Sequence, residues 1–327
     1  MKTNPYSMIL FFLGISLISS GQVTELEKTL RAQRSDTTLG WKKGGITAFN
    51  LSQTSLTNWA SGGQNSMSLN GQFNGYANFK SNTNIWDNSL DLGYGLLRQN
   101  KRDGYMKTDD KIDFVSKFGR KAYKNWYYSA LLSFKTQMTP GYNYPNDSVK
   151  ISDWLAPAYF MTAIGLDYKP DAYFSMFVAP VTAKITMVND QALANQGAYG
   201  VEKAKYDSQG HLLSKGLRSR SEFGGYLRLI YTRNDFKSEF LKNLSFTSKL
   251  DLFSNYLHHP QNIDVSWENI LAMKVNKYIV VTFNTHLIYD DDIKTGTDTN
   301  NDGKMDKFGG PNIQFKEILG VGLSYKF

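Results

Sequence analysis

Gln314-Phe-Lys-Glu-Ile-Leu-Gly-Val-Gly-Leu-Ser-Tyr-Lys-Phe327, taken with Ile313 before it, separates into two faces when read in steps of two. Ile313, Phe315, Leu319, Val321, Leu323, Tyr325 and Phe327 share one face, broken by Glu317 near its start. Gln314, Lys316, Ile318, Gly320, Gly322, Ser324 and Lys326 share the other, which is small or polar apart from Ile318. Side chains of a β-strand alternate sides, so the segment predicts a strand with hydrocarbon on one side and a polar interior on the other. The expected fold class is all-β, a transmembrane antiparallel up-and-down β-barrel of about 12 strands.

The aromatic that closes this strand resembles the last residue of bacterial outer-membrane barrels, where that end serves as the assembly signal. The opposite end of the chain agrees. Lys2 precedes an apolar run from Met8 to Ile18, and the small residues Ser19, Ser20 and Gly21 follow. The run is shorter than the roughly 20 residues of a spanning helix, and its flanks suit a signal peptidase. Residues 1–21 are expected to be a signal peptide and residues 22–40 a short periplasmic segment, with Val23, Leu26 and Leu30 at helical spacing. Residues 41–327 are the expected outer-membrane barrel domain. Without cysteine, disulfides, thiolate metal sites and a lipid anchor on cysteine are excluded.

Composition points the same way. A hydrophobic content of 41% and a mean hydropathy of −0.41 leave no room for a bundle of spanning helices. Aromatic residues reach 14%, and glycine is abundant beside only 8 prolines. Alternating strands with aromatic girdles produce this profile, because only every second residue meets lipid. The formal charge of +8 becomes about +7 without the leader. On an exported barrel this favours outer-membrane lipid and lipopolysaccharide as partners, not nucleic acid.

Alternation along the chain predicts strands at Gly45–Ser52, Ser66–Phe79, Ile85–Arg98, Lys107–Phe118, Trp126–Met138, Ala158–Tyr168, Tyr173–Val188, Ser221–Thr232, Asn243–Ser254, Ile263–Val275, Ile279–Asp290 and the closing segment. The Tyr173–Val188 strand is ambiguous in register, since both of its faces are apolar. Long and short connections alternate, apart from one near-tie late in the chain. The phase places both termini on the side of the short turns, the periplasmic side.

The predicted inner faces carry cations, among them Lys111, Lys117, Lys135, Lys184, Arg228 and Lys249. An equal set of acids includes Asp91, Asp113, Asp167, Asp251, Asp264 and Glu268. A strongly ion-selective pore shows a ring of one sign. A balanced interior predicts charges that pair across neighbouring strands in a narrow or plugged lumen. The loop Asp298-Thr-Asn300-Asn-Asp302-Gly303-Lys304-Met-Asp306 places oxygen donors at alternate positions and glycine at the sixth, which is calcium-loop spacing. The candidate metal ligands are Asp298, Asn300, Asp302 and Asp306, with Asp290–Asp292 just upstream. Gly309 stands where the bidentate acid of a full loop belongs, and a solvated polar loop is the other reading. Any calcium there would be structural, and no catalytic cofactor is expected. Of four histidines, His286 faces inward with Asn284 on its face and no serine in its own strand, which predicts a lumen residue, not a catalytic base.

Several stretches are familiar: Gly40-Trp-Lys-Lys-Gly-Gly45, Asn50 to Gly63 with Trp59-Ala-Ser-Gly62-Gly63, Leu193 to Glu202, Thr285 to Asp292, and the closing Gln314–Phe327. Together they resemble a Bacteroidota-type family of outer-membrane β-barrels known only as a conserved domain of unknown function. The resemblance implies an exported barrel and supplies no activity and no catalytic residues. Trp59-Gly62-Gly63 reads either as an outer loop tucked into the lumen, where glycine permits close approach, or as a turn with an interfacial tryptophan. Three functions remain on this reading. One is a porin-like or narrow transport barrel. Another is a non-catalytic subunit or accessory of an outer-membrane assembly or secretion complex. The third is a lipid-modifying barrel enzyme. Expected partners are lipid, the barrel-assembly machinery during insertion, and other outer-membrane proteins.

Overall fold

The computed structural model describes residues 39–55, 65–99, 104–144, 147–239, 241–276, 279–297 and 307–326. Among them, twelve long strands form one closed antiparallel barrel. They are β1 (Gly40–Thr54), β2 (Ser66–Lys80), β3 (Asn84–Gln99), β4 (Met106–Tyr123), β5 (Trp126–Thr136), β6 (Ala158–Tyr168), β7 (Phe174–Met187), β8 (Ser219–Arg233), β9 (Leu244–Asn255), β10 (Ile263–Lys274), β11 (Ile279–Tyr289) and β12 (Gln314–Lys326). Each pairs with its neighbour in sequence, and β12 returns to β1. Closure leaves no long free edge, as the up-and-down barrel class requires.

The faces follow the predicted parity. In β12, Phe315, Leu319, Val321 and Leu323 point outward and are 60–71% exposed. In β1, Phe49 and Leu51 do the same, and in β5 so do Tyr128 and Leu132. The short turns are built from side chains that cap backbone N–H groups. Asp171 Oδ1 accepts from Tyr173 and Phe174 at 2.6 and 2.9 Å, Ser81 Oγ from Asn84 at 2.9 Å, and Asn276 Oδ1 from Ile279 at 2.9 Å. Near these turns the outer wall carries an aromatic cluster. Trp41 stacks at 5.4 Å on Phe79 and 5.6 Å on Trp86, and Trp126 lies 4.6 Å from Tyr168.

The ambiguous seventh strand has a physical cause. Below Pro180, Phe177 and Ala179 point inward and Val178 outward; above it, Thr182 and Thr186 point inward and Val181 outward. The register slips between Ile164 and Leu166 on one neighbour and between Gly224 and Tyr226 on the other. A β-bulge with an extra residue exchanges the two faces, and proline, lacking an N–H, is tolerated there. A single alternation cannot describe a strand that changes phase halfway. Gly165 sits against the bulge, where its backbone meets Val178 and Ala179.

The interior is not uniformly polar, contrary to the expectation from alternation. Leu131, Ala163, Phe177, Ala179, Tyr226 and Phe253 form a buried apolar cluster on the inner wall of β5 to β9, joined by Val115 and Met161. Charged residues interleave with this cluster: Lys117 Nζ lies 5.7 Å from the Phe177 ring centroid, and Lys184 Nζ lies 4.9 Å from that of Phe253.

Candidate functional site

The polar part of the lumen is bridged from wall to wall. Lys111 of β4 donates to Glu268 of β10 at 2.9 Å, and Lys249 of β9 reaches Asp91 of β3 at 3.2 Å. In each pair the two strands stand six places apart in a ring of twelve, on opposite walls. A circular barrel of that size, with strands about 4.8 Å apart and tilted by about 40°, is on the order of 24 Å across. One lysine and one acidic side chain together fall short of that span, so the section is flattened where they meet. Lys135 of β5 lies 3.7 Å from Asp251 of β9, and Lys316 of β12 lies 3.0 Å from Asp109 of β4. These pairs cross the lumen, and others join neighbouring strands as expected: Lys135–Asp113 and Lys249–Glu268 at 3.7 Å, Arg228–Asp251 at 3.6 Å and Lys184–Glu222 at 3.4 Å.

Two further ionic layers flank this belt. Toward the short turns, Lys117 donates to Asp167 at 2.7 Å, and Lys169 is bonded to Asp87. Toward the long loops, Lys184 contacts Asp264 at 2.8 Å, Glu222 at 3.4 Å and Asp290 at 3.7 Å.

The connection from residue 188 to 218 covers the long-loop mouth. It carries a short helix, α1 (Gln191–Gln196), capped by Asp190, whose Oδ1 accepts from Ala192 and Leu193 at 2.8 and 3.0 Å. Val188, Leu193, Ala194 and Val201 bury against Ala156 of the connection after β5. Tyr199 donates to the Ile151 carbonyl there at 2.7 Å. At its other edge, Gly200 accepts from Arg220 at 3.3 Å, and Arg220 is bonded to Asp292 of the connection after β11. The connections after β5 and β11 leave opposite sides of the ring, so the segment spans the mouth.

Asp190 also pairs with Lys150 at 2.5 Å. Burial alone would raise its carboxyl, but hydrogen bonds from Lys150 and from the Leu193 and Ala192 N–H groups outweigh it and hold the group below the usual range. A depressed carboxyl stabilises the folded cap above the unfolded value of about 4, and that stability is lost as pH falls through the folded value. D190A is expected to cost the cap about 1 kcal/mol. Its amides at 191–197 should lose about fivefold in exchange protection at neutral pH, and the wild type should move toward the variant below about pH 4. Equal protection in both proteins at neutral pH would contradict this.

The remaining sequence candidates divide. Asp298, Asn300, Asp302 and Asp306 lie outside the described residues, as do Trp59, Gly62 and Gly63. The acids just upstream are already engaged: Asp290 with Lys184, Asp291 with Asn262 at 2.5 Å, and Asp292 with Arg220. His286 does face the lumen, and its Nε2 lies 2.9 Å from Ser266 Oγ on β10. The serine missing from its own strand therefore comes from the next one. The cross-strand pair Glu268–His286 could have revealed it, because Ser266 sits two residues before Glu268 on the same face. A groove of about 590 Å³ lies on the outer wall, floored by Ala130, Thr162 and Ala183 and rimmed by Trp86, Phe118 and Phe223. It has no part in the lumen.

A family profile described as "Protein of unknown function (DUF3078)" matches residues 51–142, from the upper end of β1 to just beyond β5. The likeness is to a family with no stated activity. Of the familiar stretches, only the one from Asn50 to Gly63 overlaps it. No curated protein matches. Among solved structures, the translocator domain of the autotransporter NalP from Neisseria meningitidis is 9% identical, with a TM-score of 0.39, covering 92% of this chain and 94% of that one. An outer membrane channel from Pseudomonas putida F1 is also 9% identical, with a TM-score of 0.37, covering 90% and 98%. Both neighbours are outer-membrane barrels.

Proposed function

We propose that this chain is an outer-membrane β-barrel of the narrow, side-chain-plugged transport type. Location is supported by the exposed apolar outer wall, the aromatic cluster at the short-turn end, and the longest connections lying at the other end. Its partners on this reading are lipid and lipopolysaccharide, with the assembly machinery during insertion. The observation that carries the transport reading is the pair of salt bridges between opposite walls, Lys111–Glu268 and Lys249–Asp91. Ion pairs that obstruct a lumen can also separate, whereas an apolar core filling the whole barrel would close it permanently. Planar-bilayer recordings of the purified chain should show brief, small openings, and silence at every voltage would sink the proposal.

An accessory role in an outer-membrane complex is the second reading. It is favoured by apolar side chains presented on the long connection, Leu212, Leu213 and Leu217, which are 46–68% exposed. Catalysis ranks last. Ser266 and His286 lie inside the barrel, and Glu268, the nearest acid to orient them, is committed to Lys111 and Lys249.

A further inference from the structure

Glu317 breaks the apolar face of β12, and the register of the barrel places it at the end of a polar row. Ser248 of β9 pairs with Asn269 of β10, Asn269 with Thr285 of β11, and Thr285 with Glu317. All four share the parity of exposed residues, Trp267, Phe283 and Leu319 among them, so the row lies on the outer wall. The next row toward the long loops reads Leu250, Trp267, Leu287 and Phe315. The next toward the short turns reads Phe246, Leu271, Phe283 and Leu319. A polar row between two apolar ones faces hydrocarbon in an outer-membrane barrel, where an unanswered polar group is costly.

The row answers itself except at its end. Trp267 Nε1 donates to Ser248 Oγ at 2.9 Å, and Asn269 Nδ2 donates to Thr285 Oγ1 at 3.4 Å. The exposed Glu317 carboxylate has no hydrogen bond or ion pair among the described residues. Ionisable groups at membrane depth are met by a partner of opposite charge. Arg98 of β3 also faces outward, beside Met67, with its guanidinium 5.7 Å from the Tyr105 ring centroid and no ion pair among the described residues. Glu317 is near the start of β12 and Arg98 near the finish of β3, so both lie at the long-loop end. Three strand steps separate them round the ring. At about 4.8 Å per step that is roughly 14 Å, too far to pair within one chain. Between them stand Phe49, Leu51, Met67 and Leu69, 44–60% exposed.

We propose that the outer wall from β12 across β1 and β2 to β3 docks a second copy of this chain, about a two-fold axis along the membrane normal. Such an interface is isologous: Glu317 of each copy meets Arg98 of the other, and the apolar side chains between them meet at the centre. Apolar contact alone would not select this face, because apolar surface gains little by leaving hydrocarbon. Opposite charges in a low-dielectric setting do select it. The dimer rests on the outer-membrane location proposed above and is independent of conduction.

The test is the oligomeric state of the folded chain, by sedimentation in mild detergent and by chemical cross-linking in proteoliposomes, with folding checked on unheated gels. A dimer is expected for the wild type. R98Q and E317Q should each lower its association constant at least about tenfold, as loss of one partner of a desolvated charge pair implies. The exchanged variant R98E/E317R restores opposite charges across the axis and should dimerise like the wild type. R120Q, which removes an exposed arginine at the short-turn end of β4, should leave the dimer unchanged. A wild type that stays monomeric in both settings overturns the dimer interface. So does a dimer that folded E317Q retains, or an exchange that fails to restore it. A monomer that conducts would remove the dimer and keep the transport reading; a dimer silent at every voltage would do the reverse.

Discussion

The quadruple variant D91A/K111A/K249A/E268A is expected to conduct several-fold more than the wild type in planar bilayers, with longer openings. Both cross-lumen pairs must go together. Removing Lys111 alone would leave Glu268 with only Lys249, at 3.7 Å, and an uncompensated buried charge typically costs about 3–5 kcal/mol. Removing both pairs together leaves no partner of either pair as an uncompensated charge. The four truncated side chains then leave open the space where the opposite walls now meet. Folded variant protein with wild-type conductance would mean that these pairs are not the constriction, and attention would move to the segment across the mouth.

Gly165→Ala is expected to abolish most folding, although it adds a single methyl. An added Cβ would lie inside the Val178 carbonyl oxygen, 2.6 Å from the Ala179 Cα and 2.7 Å from the Val178 carbonyl carbon. All three obstacles are backbone, and they belong to the bulge that exchanges the faces of β7. No side-chain rotation relieves the clash, so β6 and β7 must part or the bulge must shift. A shift by one residue would turn Phe177 and Ala179 out of the inner cluster. We expect a loss of at least about 3 kcal/mol, at the upper end for overpacked sites. It can be read as the folded fraction on unheated gels and as the urea midpoint. G310A, where an added Cβ meets nothing within 4 Å, is the control. A wild-type midpoint for G165A would show that the bulge is not fixed by this contact.

Much of the barrel was legible in the sequence because an exposed apolar outer wall and an enclosed, partly polar lumen impose a period of two. Phe315, Leu319, Val321 and Leu323 gave the closing strand its register, and the structure keeps it. Where that period breaks, at Pro180, reading stalled, since alternation cannot show a strand that swaps faces. The lumen was half legible. Parity places Lys111, Lys249, Asp91 and Glu268 inside, but no local pattern tells a lysine that its acid stands six strands away. Nor does parity separate an inward Leu131 or Phe177 that lines a pore from one that fills it. Ser266 beside His286 was reachable through strand pairing.

The joint that closes the ring is its shortest. Among the described residues, β12 meets β1 over four pairs, from Ile46 opposite Lys326 to Phe49 opposite Leu323. The joint of β8 with β9, by contrast, runs over ten, from Gly224 to Arg233. Loaded around its circumference, a tube tears along its thinnest weld. Tension or heat is therefore expected to open this barrel first along that seam, into a curved sheet from β1 to β12. The same weld is the one whose completion turns a sheet into a tube.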